Sequence, residues 1–136
     1  MADTQLESGT HSASIRTLRV EHRTILALFE VYLAISPDSR QATMDQILNL
    51  LEEHFLKEEA LLAGRKRQPG NQADELVEQV LLDHNEVRAM IKELRDSETD
   101  DDQALDEFFE DMMQTVRMHF LAEERDLFPR LPRPDD

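Results

Sequence analysis

The chain has no cysteine and no tryptophan, one tyrosine and only three glycines among its 136 residues. Without cysteine there is no disulfide framework, thiolate zinc or iron–sulfur cluster, so any metal must be held by nitrogen and oxygen, and a reducing compartment fits. No apolar run approaches the roughly 20 residues that span a bilayer. The opening MADTQLESGTHSAS also lacks the apolar segment of a secretory signal. A cytoplasmic protein with no membrane contact is expected. Basic charge is scarce as well: 15 Lys and Arg against 30 Asp and Glu leave a formal net charge of −15, which repels nucleic acid and anionic lipid. The one basic cluster, Arg65-Lys66-Arg67, lies beside Pro69-Gly70 and reads as a solvated turn.

What remains is helix-forming. A high content of Leu, Glu, Gln, Ala, Met and Arg, with few β-branched runs, points to an all-α chain of one domain's size. After a polar tail over residues 1–13, a helical period runs Ile15, Leu18, His22, Ile25, Leu26, Phe29, Leu33 and stops at Ser36-Pro37-Asp38. A second helix, capped near Asp38 or Ser39, carries Met44, Ile47, Leu48, Leu51, His54, Phe55, Glu58, Leu61 and Leu62 and ends at Gly64. The third, after Pro69-Gly70-Asn71, places Leu76, Val77, Val80, Leu81, His84, Val87, Ile91 and Leu94 on one stripe. An acidic loop around residues 96–102 precedes the fourth, with Leu105, Phe108, Met112, Val116, His119, Phe120, Glu123 and Leu127 inward before Pro129. Short connections predict an antiparallel up-down-up-down four-helix bundle over residues 14–129, with a frayed tail over 130–136.

Four of the five histidines fall on these inward stripes; His11 lies in the expected tail. A lone histidine on an apolar face is more often a hydrogen-bonded core residue than a ligand. Here the histidines come with carboxylates in a repeat: HFLKEE from His54 and HFLAEE from His119, each following a lone mid-helix histidine, His22 or His84. On a helix, residues four apart share a face, so His54 with Glu58 and His119 with Glu123 each offer a nitrogen and an oxygen to one point. Two such helices facing each other could hold two metal ions. Glu59 and Glu124, one residue further round, are expected as supporting groups or substitute ligands. Burying four imidazoles and two carboxylates together is costly unless a metal satisfies them. This donor set suits iron, manganese, zinc or copper better than calcium or magnesium.

The Glu-x-x-His spacing of ferritin-like sites is absent, as is His-Glu-x-x-His. His22, His54-x-x-x-Glu58, His84 and His119-x-x-x-Glu123 on four helices instead resemble the hemerythrin-like family of HHE cation-binding domains. The resemblance implies two iron ions bridged by Glu58, Glu123 and an oxo or hydroxo group, with His22, His54, His84 and His119 as terminal ligands. It also implies a small ligand such as O2, peroxide or nitric oxide.

One departure bears on function. Oxygen carriers of the family have five histidines, two of them four apart on the third helix, whereas Val80 and Arg88 stand four before and four after His84. A lost imidazole leaves a more open centre, which favours binding or sensing of small oxidants over reversible carriage. Turnover of peroxide or nitric oxide, and an iron-responsive interaction module, are the alternatives, so enzymatic activity is left open. Ile25, Leu51, Phe55, Leu81, Val116 and Phe120 are expected to wall a dry pocket. Tyr32, ten residues from His22, is expected to serve as packing near a bundle end.

Overall fold

The computed structural model describes residues 2–65, 72–97 and 101–131, with side chains described over 15–64, 74–97 and 101–131. Helices α1 (Ala2–Ala34), α2 (Arg40–Arg65), α3 (Gln72–Asp96) and α4 (Asp102–Ala122) account for most of it. A 3-10 turn over Pro37–Ser39 leads into α2, and α4 continues into a π turn over Glu123–Leu127 and a 3-10 turn over Phe128–Arg130. No helix among the described residues is long and apolar enough to cross a membrane.

Each α-helix reads as the apolar spacing requires. Leu18, Ile25, Phe29 and Tyr32 on α1, and Val77, Val80, Val87 and Ile91 on α3, recur at threes and fours and are buried. Start signals are local: Asp101 accepts from the Ala104 amide and caps α4. Pro37 opens the turn before α2. The backbone of α1 is helical from Ala2, where a tail was expected. With no proline in that stretch, extending an existing helix costs far less than nucleating one. The Pro69-Gly70-Asn71 segment before α3 and the residues after Leu131 lie outside the described residues.

Two apolar clusters form the core. Ile25, Phe29, Leu51, Val87, Met112 and Val116 belong to the larger one, and Leu18, Leu62, Val77, Leu127 and Phe128 to the smaller. Every helix passes from one cluster to the other at its histidine or glutamate: α1 at His22, α2 between Phe55 and Leu62, α3 at His84, α4 between Phe120 and Leu127. The order in which the helices visit the two clusters alternates, so consecutive helices run in opposite directions and the bundle is antiparallel. α1 packs against α2 and α4, and α3 against the same two. The polar side chains thus form one layer across the bundle between two dry cores.

Helical phase differs from expectation at two positions. Tyr32 is fully buried and Leu33 is exposed; Phe109 is fully buried and Phe108 only partly so. Where two adjacent residues are both apolar, period alone does not choose between them. Here the ring of Tyr32 against Phe109 and Phe29, with its hydroxyl on Asp106, decides. Tyr32 does sit as packing near a bundle end, far from the polar layer.

Candidate metal centre

His22, His54, Glu58, His84 and Glu123 are the buried polar residues of the described chain. His22, His54, Glu58 and Glu123 each bring one donor atom within 4.8 Å of the others. The carboxylates are divided between two sides. Glu58 turns Oε1 to His84 Nε2 at 2.9 Å and Oε2 to His54 Nε2 at 3.7 Å. Glu123 turns Oε1 to His22 Nε2 at 3.2 Å and Oε2 to His84 Nε2 at 3.6 Å. One oxygen of each therefore faces the His22/His54 pair and the other faces His84.

His119 sits nearer the surface, with 19% of its side chain exposed, and is outside the four-donor cluster. Its Nε2 is nevertheless buried and without a hydrogen-bond partner. Both Glu58 oxygens, Glu123 Oε1 and His84 Nε2 are buried too, and their close contacts to one another and to His22 and His54 lack hydrogen-bond geometry. Each unpartnered buried polar group costs about 1–3 kcal/mol, so five such atoms in one layer mark a place where something must satisfy them.

Behind the cluster, each of these four histidines rests its outer nitrogen on a carboxylate. His22 Nδ1 meets Glu124 Oε2 at 2.6 Å, His54 Nδ1 meets Glu21 Oε1 at 2.8 Å, His84 Nδ1 meets Glu59 Oε2 at 2.8 Å, and His119 Nδ1 lies 3.0 Å from Asp83 Oδ2. Each carboxylate comes from the neighbouring helix, so the four pairs link α1 to α4, α2 to α1, α3 to α2 and α4 to α3 in a closed ring. A carboxylate can only accept, which puts a proton on Nδ1 and turns Nε2 inward.

Glu59 and Glu124, expected as supporting or substitute groups, thus sit on histidine outer nitrogens. The sequence reading missed Glu21 and Asp83. A signal was present: in both halves an acidic residue immediately precedes the lone histidine, Glu21-His22 and Asp83-His84. Cations hold two members of the ring, with Lys57 2.7 Å from Glu21 and Arg88 2.8 Å from Glu59. Arg88 therefore points outward to Glu59 and lies over the Phe55 ring, away from the cluster.

The π turn explains how consecutive glutamates serve opposite nitrogens of one imidazole. The Phe128 amide donates to the Glu123 carbonyl five residues back, and the widened turn sets Glu123 on His22 Nε2 and Glu124 on Nδ1. Aromatic rings close the layer. Phe120 stacks on His22 at 3.8 Å between centroids, and Phe55 on His84 at 4.1 Å. Of the other expected wall residues, Ile25, Leu51 and Val116 are buried in the larger core, whereas Leu81 is partly buried against the smaller one.

The electrostatics follow from burial. Burial lowers His54 to about 4 and keeps it neutral. Burial also lifts Glu58 to about 8, reinforced by its neighbour Glu123. Glu123, although equally buried, is held below the usual carboxylate range by His22 and His84. His84 loses from burial but is carried up to about 10 by Glu123 and Glu58. Without a cation, then, protons neutralise the layer. The donor set of imidazole nitrogens and carboxylate oxygens, orphaned and aimed at one volume, fits a metal of the iron, manganese or zinc type.

A family model described as the hemerythrin HHE cation-binding domain matches residues 13–131. No curated protein and no solved structure matches the chain.

Proposed function

The chain belongs to the hemerythrin HHE cation-binding domain family, and from that premise we propose that its buried His/Glu layer holds two iron ions and binds or senses O2, peroxide or nitric oxide. The observation that carries this reading is the division of the carboxylates: Glu58 and Glu123 each give one oxygen to the His22/His54 side and one to the His84 side. Such a split suits two cations sharing two bridging carboxylates. His22 and His54 would hold one, and His84 and His119 the other. Bound iron would supply redox equivalents and an open position for a small ligand. The protein's own part is to orient the imidazoles through the ring of carboxylates, and to exclude bulk water with Phe55 and Phe120.

A second reading, turnover of peroxide or nitric oxide at the same centre, is favoured by Val80. It stands one helical turn before His84, where it offers no donor atom. One preparation tests both. Protein purified under iron-replete conditions should carry about two irons per chain and change its absorption when O2 is admitted to the anaerobic sample. A stable, vacuum-reversible spectrum supports binding, and continuous consumption of peroxide or nitric oxide supports the enzyme. A persistently metal-free chain overturns the proposal.

A further inference from the structure

Two clefts reach the polar layer from opposite sides of the bundle. One, of about 80 Å³, opens between α1 and α2 and is lined by Ile25, Leu50 and His54, with Glu21 and Lys57 also in its wall. The other, of about 60 Å³, opens between α3 and α4 beside Leu76, Val80, Leu127, His119 and Glu123. They differ in what a visitor would meet. In the first, Glu21 holds His54 Nδ1, the His54 Nε2 faces His22 Nε2 at 3.0 Å across the layer, and Lys57 is tied to Glu21 in the same wall.

In the second cleft the two layer residues are underused. Glu123 is 4% exposed and turns Oε2 to His84 Nε2 at 3.6 Å, and His119 keeps a buried, unpartnered Nε2. This is also the side on which His84 is the sole imidazole within 4 Å of the carboxylates, and on which Val80 contributes only hydrocarbon. Room and unsatisfied donor atoms coincide here.

We propose that the α3/α4 cleft is the route by which a neutral ligand of two or three heavy atoms reaches the His84/His119 side of the layer, with Val80 setting its bore. The inference rests on the metal reading above and names its ligand class. With about 60 Å³ at its floor, the cleft suits a diatomic gas or peroxide better than a bulky organic substrate. Leu76, Val80 and Leu127 give it apolar walls, while Asp83, Asp126 and Glu123 line it with carboxylates that repel anions.

The test has a metal-free and a metal-loaded arm. Xenon under pressure should shift the methyl resonances of Leu76, Val80 and Leu127 in the metal-free full-length chain, and Val80→Phe should abolish those shifts. In the iron-loaded chain, Val80→Phe should slow nitric oxide association by about tenfold or more. Val80→Ala should speed it, and azide should associate more slowly than nitric oxide. Leu50→Phe, in the opposite cleft, should leave the nitric oxide rate unchanged. Val80→Ile, with one added methyl group, serves if the phenyl ring prevents folding. An unchanged rate in the folded Val80 variants, or slowing by Leu50→Phe instead, overturns the route. A chain that binds no iron overturns the metal reading alone, and the xenon shifts then still decide whether the cleft admits a neutral ligand.

Discussion

His22 Nε2 stands 3.0 Å from His54 Nε2, although the Nδ1 of each is already committed to a carboxylate, Glu124 for the first and Glu21 for the second. If both Nδ1 atoms carry protons, two lone pairs face each other with nothing between them. A shared proton or a cation resolves this contact, and neither neutral imidazole alone can.

Replacing His54 by Leu removes one side of that conflict and substitutes hydrocarbon of similar bulk. Glu21 keeps Lys57 and partial solvent exposure. The metal-free His54→Leu chain should therefore stay within about 1 kcal/mol of the parent in denaturant unfolding, while its iron content collapses. A large loss of metal-free stability would make His54 chiefly a structural residue.

The carboxylate ring predicts an effect at one remove. Asp83→Ala leaves His119 Nδ1 without its acceptor, and Glu21→Ala does the same for His54; each should weaken metal binding about 10–100-fold with helix content unchanged. Asp83→Asn, whose amide oxygen still accepts, should recover most of that affinity. Competition with a chelator of known strength measures all three.

The pH dependence has a defined sign. Glu58 is raised from 4.5 to about 8 and His84 from 6.5 to about 10, so both hold their protons more tightly folded than unfolded. Their contribution to the metal-free fold is complete below the ordinary values. It is lost as pH rises, between 4.5 and about 8 through Glu58 and between 6.5 and about 10 through His84. The metal-free chain should melt at a lower temperature near pH 9 than near pH 6, whereas metal affinity should rise over the same span because loading expels those protons. A melting temperature that is flat across this range would contradict the proton-filled layer.

At the far end of the larger core, the Tyr32 hydroxyl donates to Asp106, which also accepts from Arg40 at 2.9 Å. Burial and Asp106 both raise the Tyr32 pKa, so the phenol stays protonated. Tyr32→Phe should cost about 1 kcal/mol in unfolding, since Asp106 retains Arg40. Ten residues of helix rise, roughly 15 Å, separate it from His22, so iron content should not change.

Much of the architecture is written locally. Apolar residues at threes and fours, Asp101 as a cap and Pro37 as a start signal specify four helices, because helix period and capping depend only on near neighbours in the chain. The same period put His54 with Glu58, and His119 with Glu123, on inward faces. Their neighbours Glu59 and Glu124 were left a step further round, and the structure has them 24% and 38% exposed. The acidic residues before His22 and His84 were visible as a repeat, but their partners lie 33 and 36 residues away, His54 and His119, where spacing along one helix says nothing.

By itself, then, the sequence determined an all-helical bundle and the identity of the polar layer's residues, through periodicity and the His-x-x-x-Glu repeat. Tertiary structure alone decided which carboxylate seats which imidazole, and which oxygen of Glu58 and Glu123 faces which side. It also chose Tyr32 over Leu33 for burial, and left His119 nearer solvent than its counterparts. Those choices depend on the rotation of each helix against its neighbours and on the π turn at Glu123, quantities set by side chains meeting across the bundle rather than along it.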